Sequence, residues 1–172
     1  MKKVLIAALV ALVSISCGDT KKEATEVTKE VVVEKPAVAK EVEKSENTGK
    51  EVTLLLSSND QMQYDKTILK VKEGARVVLT FKHTGTMPKK VMGHNFVLLK
   101  QGTDIPSFAQ LAMQAADKEY IPESDAIIVH TKIIGGGESV TITFDAPAKG
   151  TYDYICSFPG HYSIMKGKFI VE

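Results

Sequence analysis

From Glu51 onward, apolar and polar residues alternate in short bursts separated by glycine, proline and acidic or amide residues. Thr67–Lys72 shows the rule: Leu69 and Val71 interleave with Ile68, Lys70 and Lys72, the period of two that puts one face of a strand against a core. Similar runs at Val52–Leu56, Arg76–Lys82, Val91–Leu99, Ala126–His130, Ser139–Phe144, Thr151–Cys156 and Gly167–Glu172 bring the number of expected strands to eight. Turn signals stand between them at Glu73-Gly74, Pro88 and Gly135-Gly136-Gly137. Eight short strands with Gly- and Pro-marked turns argue for an all-β sandwich. One stretch departs from period two. Ser107–Lys118 carries Phe108, Leu111, Ala112 and Ala115 at helical spacing after Asp104-Ile105-Pro106, so a single short crossover helix is expected, its apolar stripe packed on the sandwich.

The first fifty residues follow a different pattern. Lys2-Lys3 precede an apolar run, Val4–Val13, too short to span a bilayer as a mature helix. Residues 1–16 read as a secretory signal peptide. The small residues leading into Cys17 resemble a bacterial lipobox, in which the cysteine becomes the lipidated first residue, although Ser14 stands where such motifs usually carry Leu. From Gly18 to Lys50 there is no aromatic residue, Leu, Ile or Met, and 7 Lys face 8 Asp and Glu. Such a segment cannot bury enough apolar surface to offset its ordering entropy. Residues 17–50 are therefore expected to be a lipidated, disordered linker, spanning roughly 30 Å as a random coil. Residues 51–172 then form the folded domain, tethered to a bacterial membrane on the periplasmic side, the outer membrane being the expected one.

Charge is nearly balanced, with 13 Lys and Arg against 13 Asp and Glu from Glu51 on, which gives no sign of a nucleic-acid or acidic partner. There are two cysteines, Cys17 and Cys156. Exported domains commonly pair their cysteines, but here one lies in the tail and the other between two strands. If Cys17 carries lipid, Cys156 is left as a free thiol.

Cys156 opens the stretch with the richest chemistry. Cys156-Ser157-Phe158-Pro159-Gly160-His161-Tyr162-Ser163-Ile164-Met165 packs a thiol, an imidazole and a thioether into one loop between expected strands. Pro159-Gly160 bends the chain so that Cys156 and His161 can converge. A thiolate, imidazoles and a weak, long thioether bond form the ligand set of a blue-copper site. Other readings remain open on these residues alone. A free cysteine and a methionine commonly pack as core, Cys and His can act as nucleophile and base, and they can be two of four zinc ligands.

A blue-copper site needs a second imidazole. His94 follows Gly93, and Gly within a strand often marks close approach of a ligand or another backbone. At this point a resemblance becomes specific. Met92-Gly93-His94-Asn95-Phe96-Val97, together with Cys156-Ser157-Phe158-Pro159-Gly160-His161 and Met165-Lys166-Gly167, resembles the two copper-binding segments of the azurins, bacterial cupredoxins. Asn59-Asp60-Gln61-Met62-Gln63, Met87-Pro88-Lys89-Lys90-Val91, His130-Thr131-Lys132 and Ile134-Gly135 match in the same order. The resemblance covers essentially all of Val52 to Glu172.

It implies a cupredoxin-like Greek-key β-sandwich with one type 1 copper cycling between Cu(II) and Cu(I), and an electron carrier rather than an enzyme. His94, Cys156 and His161 would form the ligand plane, with Met165 and the Gly93 carbonyl as axial neighbours. Asn95 would hydrogen-bond across to the Cys156 loop, and backbone N–H groups near Phe158 would reach the sulfur. The edge of His161 would be partly exposed within an apolar docking patch of Met62, Met87, Met92, Phe158, Pro159 and Ile164. Redox proteins such as cytochromes and copper reductases or oxidases would dock there transiently on a monomer. His83 would lie near the site without binding metal, and His130 on the surface. Three departures stand out, one of them the added lipoprotein tail. Glu51 and Gly74 occupy the positions of the azurin disulfide, whose loss typically costs a few kcal/mol, and Phe96 replaces a Trp found in many members. Two rival functions, copper storage or delivery and a Cys–His hydrolase, fit poorly: the first favours open Met- or Cys-rich sites, and no oxyanion hole or substrate cleft is legible for the second.

Overall fold

The computed structural model describes residues 50–172. The expected signal peptide over 1–16, Cys17, and all but the last residue of the 17–50 linker lie outside the described residues.

Eight strands form two sheets. β1 (Glu51–Ser58), β3 (Arg76–His83) and β6 (Ser139–Asp145) make the smaller sheet in the order β1-β3-β6. The other contains β2 (Ile68–Val71), β8 (Lys166–Val171), β7 (Gly150–Ile155), β4 (Val97–Leu99) and β5 (Ile127–His130), in that order. The β1–β3 and β2–β8 pairs are parallel and the rest antiparallel. This is the expected Greek-key sandwich. Its core takes Leu56, Val77, Leu79 and Phe81 from one sheet and Leu69, Val71, Leu98, Tyr154 and Phe169 from the other. Each such buried side chain contributes roughly 1.5–3 kcal/mol.

A second apolar layer explains why β4 is buried on both faces. Leu98 points into the sandwich, while Val97 and Leu99 pack outward on helix α2 (Ile105–Gln114) with Phe108, Ala112 and Ile155. The helix starts two residues earlier than expected, at Ile105. The Asp104 carboxylate caps it by accepting the Ser107 N–H at 3.1 Å. Its packing face is Ile105, Phe108, Ala109 and Ala112, the i, i+3, i+4, i+7 set. Leu111, expected in that stripe, is 49% exposed. A separate 3₁₀ turn at Ala116–Lys118 completes the stretch read as one helix.

The expected strand over Val91–Leu99 is a correction. Lys89–Met92 is instead a single helical turn, α1, opened by Pro88, whose carbonyl accepts the N–H groups of Val91 and Met92. Only Val97–Leu99 joins the sheet. Between them, His94 forms a lone two-way bridge with Ile134: each N–H donates to the other's carbonyl, at 3.0 and 2.8 Å. The β-type composition of Val91–Leu99 hid a Pro-initiated turn. Of the two positions that correspond to the azurin disulfide, Glu51 opens β1 opposite Arg76, and Gly74 lies in the turn before β3 with φ 72°.

Candidate metal centre

Two chain segments converge at one end of the sandwich. The first leaves β7 at Cys156 and re-enters the sheet at β8. Its neck is closed by the Cys156 N–H donating to the Met165 carbonyl at 3.0 Å. Within it, the His161 N–H donates back to the Phe158 carbonyl at 3.0 Å across Pro159-Gly160. Gly160 has φ 80° and ψ −14°. That is a type II turn, with Pro pre-set at its second position and Gly at the third, where φ is positive. The His161 carbonyl then accepts the N–H groups of Ile164 and Met165, so Cys156, His161 and Met165 are drawn into one backbone knot. Met165 is fully buried.

The second segment is Gly93-His94-Asn95, all buried. Gly93 has ordinary extended dihedrals, so conformation is not why it is glycine. A Cβ there would stand 2.5 Å from the Lys89 carbonyl oxygen, 2.6 Å from Ile133 and 3.1 Å from the Phe158 ring. The absent side chain lets the Gly93 carbonyl oxygen lie 4.0 Å from the Cys156 sulfur. Asn95 ties the two segments together. Its Nδ2 donates to Ser157 Oγ and its Oδ1 accepts the Ser157 N–H, both at 2.8 Å and both buried. The Asn95 carbonyl in turn accepts the Tyr64 hydroxyl at 2.5 Å.

His94, Cys156 and His161 present their donor atoms to a common point. The two Nδ1 atoms are 3.2 Å apart, and they lie 3.9 Å (His94) and 3.7 Å (His161) from the Cys156 sulfur. A triangle with those sides has a circumradius of about 2.1 Å, so one point is equally near all three. That matches the roughly 2.0–2.3 Å of metal–imidazole and metal–thiolate bonds, as known for zinc. Tautomer supports it too. His94 Nε2 lies 2.9 Å from the Asn59 carbonyl, which can only accept, so the proton sits on Nε2 and the Nδ1 lone pair faces the cluster.

The electrostatics also favour a cation there. Burial pushes both imidazoles down to about 4, leaving them unprotonated at neutral pH. Burial pushes the Cys156 thiol up to about 12, against the N–H groups of Asn95 and Phe158, which donate to its sulfur. A thiolate in this place therefore needs a compensating positive charge. The residues fit a metal of the borderline-soft kind, for which one thiolate and two imidazoles are suited donors.

His83 and His130 are placed apart from the cluster's donor set. His83 is fully buried and stacks on His94 with ring centroids 4.5 Å apart. Its Nε2 donates to the Met92 carbonyl and its Nδ1 accepts the Gly85 N–H, both at 3.0 Å, so neither nitrogen is free to ligate. His130 is exposed at the end of β5.

Around the centre, Ile164 is 57% exposed, whereas Met62, Met87, Met92, Phe158 and Pro159 are half-buried. Asp60 draws the Met62 and Met87 loops together, since its carboxylate accepts the N–H groups of Thr86 at 2.8 Å and Met87 at 3.2 Å. The His161 edge is a correction: only 4% of that residue is exposed, and the Phe158 ring lies 4.7 Å from the imidazole. Sequence reasoning gave no role to Asn59, Ser157 or Tyr64. Asn59 carried a signal, since its side chain caps a turn by accepting the Gln61 and Gln63 N–H groups. The other two carried none.

Residues 50–172 match the family model described as copper binding proteins, plastocyanin/azurin family. An azurin from Pseudomonas fluorescens biotype C is 41% identical over 122 residues, covering 68% of this chain and 95% of that protein. The outer membrane protein H.8 of Neisseria meningitidis serogroup B is 42% identical over 118 residues, covering 66% of this chain and 63% of its own length. Among solved structures, a dithionite-reduced auracyanin from Roseiflexus castenholzii superposes with a TM-score of 0.64 at 37% identity, covering 72% of this chain and 99% of that one. An azurin from Methylomonas sp. strain J gives a TM-score of 0.63 at the same identity, covering 72% and 98%.

Proposed function

The chain belongs to the plastocyanin/azurin family of copper-binding proteins, and we propose that His94, Cys156 and His161 are the ligands of its single type 1 copper. It is a blue-copper electron carrier. The observation that supports the ligand assignment is the three-atom triangle, whose centre suits a metal and whose His94 corner has its lone pair turned inward. Met165, whose N–H and carbonyl are bonded to His161 and Cys156, and the Gly93 carbonyl, 4.0 Å from the Cys156 sulfur, would be the next groups to hold the metal. Copper bound there supplies a one-electron Cu(II)/Cu(I) couple.

The protein's part is to keep the donors still. The Asn95–Ser157 clamp, the Asn59 carbonyl and the Cys156–Met165 neck hold sulfur and imidazoles in one arrangement for both oxidation states, which keeps rearrangement on electron transfer small. The N–H groups of Asn95 and Phe158 draw charge from the thiolate. Met62, Met87, Met92, Phe158, Pro159 and Ile164 form an apolar face over the centre on which redox proteins dock briefly, soft methionines suiting varied partners. The carrier works as a monomer on a lipid anchor at Cys17, facing the periplasm from the outer membrane. The H.8 relative is itself named an outer membrane protein.

Addition of Cu(II) to the purified protein is expected to give the intense blue thiolate-to-copper absorption, and Cys156→Ser to abolish it. A wild-type protein without the band, or a variant that keeps it, overturns the assignment.

A further inference from the structure

Beside the metal centre lies a cleft of about 260 Å³, lined by Lys89, Lys90, Glu119, Tyr120, Ile133 and Phe158. Its floor is aromatic and leads inward. Tyr120 meets Phe158 edge-on with ring centroids 5.2 Å apart, and Phe158 lies 4.7 Å from His161. His161 is itself only 4% exposed, so a group seated in the cleft is one phenyl ring from the buried imidazole. The wall is held in an uncommon shape. Glu119 and Tyr120 both have positive φ, 53° and 60°, a conformation that bulky residues keep only when their surroundings enforce it. The Glu119 carboxylate does so by accepting the Ile133 N–H at 3.2 Å and pairing with the Lys89 ammonium.

That pairing uses up the acidic group of the cleft. Lys90 is exposed and, among the described residues, has no ion pair. Lys132 adds a third ammonium acting on Glu119. Three lysines against one glutamate leave a local excess of two positive charges, on a domain whose charges otherwise balance. An apolar, aromatic floor under a positive rim complements a carboxylate set beside a flat or apolar surface.

We propose that this cleft docks an acidic redox partner, which seats a carboxylate against Lys90 and brings its redox centre over the Tyr120–Phe158 pair. The reduced centre of the pair then gives one electron to the oxidised one, and the path between them runs through His161 and Phe158. The electron route rests on the blue-copper reading above; the capture of an anion by the cleft does not.

The full chain serves for both arms of the test. In the metal-free protein, the redox-inert trianion hexacyanocobaltate(III) is titrated while NMR shifts are followed. Shifts centred on Lys90, Tyr120 and Phe158, and lost in Lys90→Glu, are expected. In the copper-loaded protein, oxidation by hexacyanoferrate(III) takes one electron from the reduced centre and turns Fe(III) into Fe(II). Lys90→Glu is expected to slow this roughly tenfold at low salt, and not to slow oxidation by the cation tris(phenanthroline)cobalt(III). Lys70→Glu makes the same change in net charge on β2, at the opposite edge of its sheet from β5, and is expected to slow the anion less than about twofold. Equal slowing by the two reversals, or NMR shifts centred elsewhere, overturns the proposal. Anion binding at the cleft in a protein that develops no blue band refutes the copper assignment instead and leaves the cleft's chemistry standing.

Discussion

The two segments that meet at the metal centre are built in opposite ways. Cys156–Met165 is closed on itself: its neck bond, its type II turn and its 3₁₀ turn all join residues no more than nine apart. Gly93–Asn95 has almost no structure of its own. It hangs from Ile134 through a two-way bridge, from Asn59 through an imidazole bond, from Tyr64 through a hydroxyl and from Ser157 through an amide. A ligand loop can thus be specified locally, or by partners scattered over the chain. The second kind needs the whole sandwich folded before it exists.

The Asn95 amide is where the two kinds join, so removing it carries the largest expected effect. Asn95→Ala would leave the Ser157 N–H and hydroxyl buried without their partner. At about 1–3 kcal/mol for each stranded group, a loss of about 3–5 kcal/mol is expected once the small cavity is included. Denaturant unfolding of the metal-free protein checks it. Combining Asn95→Ala with Ser157→Ala sharpens the point: a clamp that acts as a unit makes the pair cost much less than the sum of the singles. Additive losses would mean that the segments are held independently.

Two glycines, one in each segment, test the contrast at the next scale. Gly93 is glycine because backbone and side chains crowd it, and Gly160 because its φ is positive. Gly93→Ala must move the Lys89 carbonyl or Ile133, at an expected cost of about 2–3 kcal/mol. Because Phe158 is also within reach, the blue band should shift as well. Gly160→Ala meets nothing within 4 Å and should lose only about 1 kcal/mol from the left-handed conformation, with the absorption little changed. A larger loss at Gly160 than at Gly93 would show that the self-closed loop, not the scattered scaffold, limits the site.

The same contrast decides what could be read in advance. Cys156, His161 and the Pro159-Gly160 bend were visible because their geometry is local. So were Leu69 and Val71 in β2, where period two carries the information. His94 needed the resemblance to be recognised, since the residues that orient it lie 35 and 40 positions away at Asn59 and Ile134. Val91–Leu99 reads as one strand in sequence, yet only Val97–Leu99 is one. Valine and leucine favour a sheet, but Pro88 starts a helical turn and β4 pairs only from Val97. Spacing alone allows Phe108, Leu111, Ala112 and Ala115 as the packed stripe of α2, but the face that packs is Ile105, Phe108, Ala109 and Ala112, and only the apolar layer beneath the helix selects between two faces that share Phe108 and Ala112. The near-closure of His161 depends on where the Phe158 ring settles, which no spacing rule conveys.

The smallest effect belongs to Asp60, which joins the Met62 loop to the Met87 loop from outside both ligand segments. Its carboxylate is held below the ordinary range chiefly by the Thr86 N–H it accepts, with the Met87 N–H and nearby His83 adding to this against a burial penalty. Gly85 permits the approach, for a Cβ there would stand 2.1 Å from the Asp60 oxygen. Because the folded-state pKa is depressed, the stabilisation is fully present above the unfolded value, near 4, and is lost as pH falls through the folded one. Asp60→Asn removes that dependence, since a neutral amide can still accept one N–H but turns its NH₂ toward the other. The variant is expected to melt slightly lower than wild type at pH 7, with the two curves converging as pH drops below 4. Thermal midpoints measured from pH 7 to pH 3 check this. Curves that stay parallel would mean that the shape of Asp60 and not its charge joins the loops, and that the scattered scaffold around His94 is held without electrostatic help.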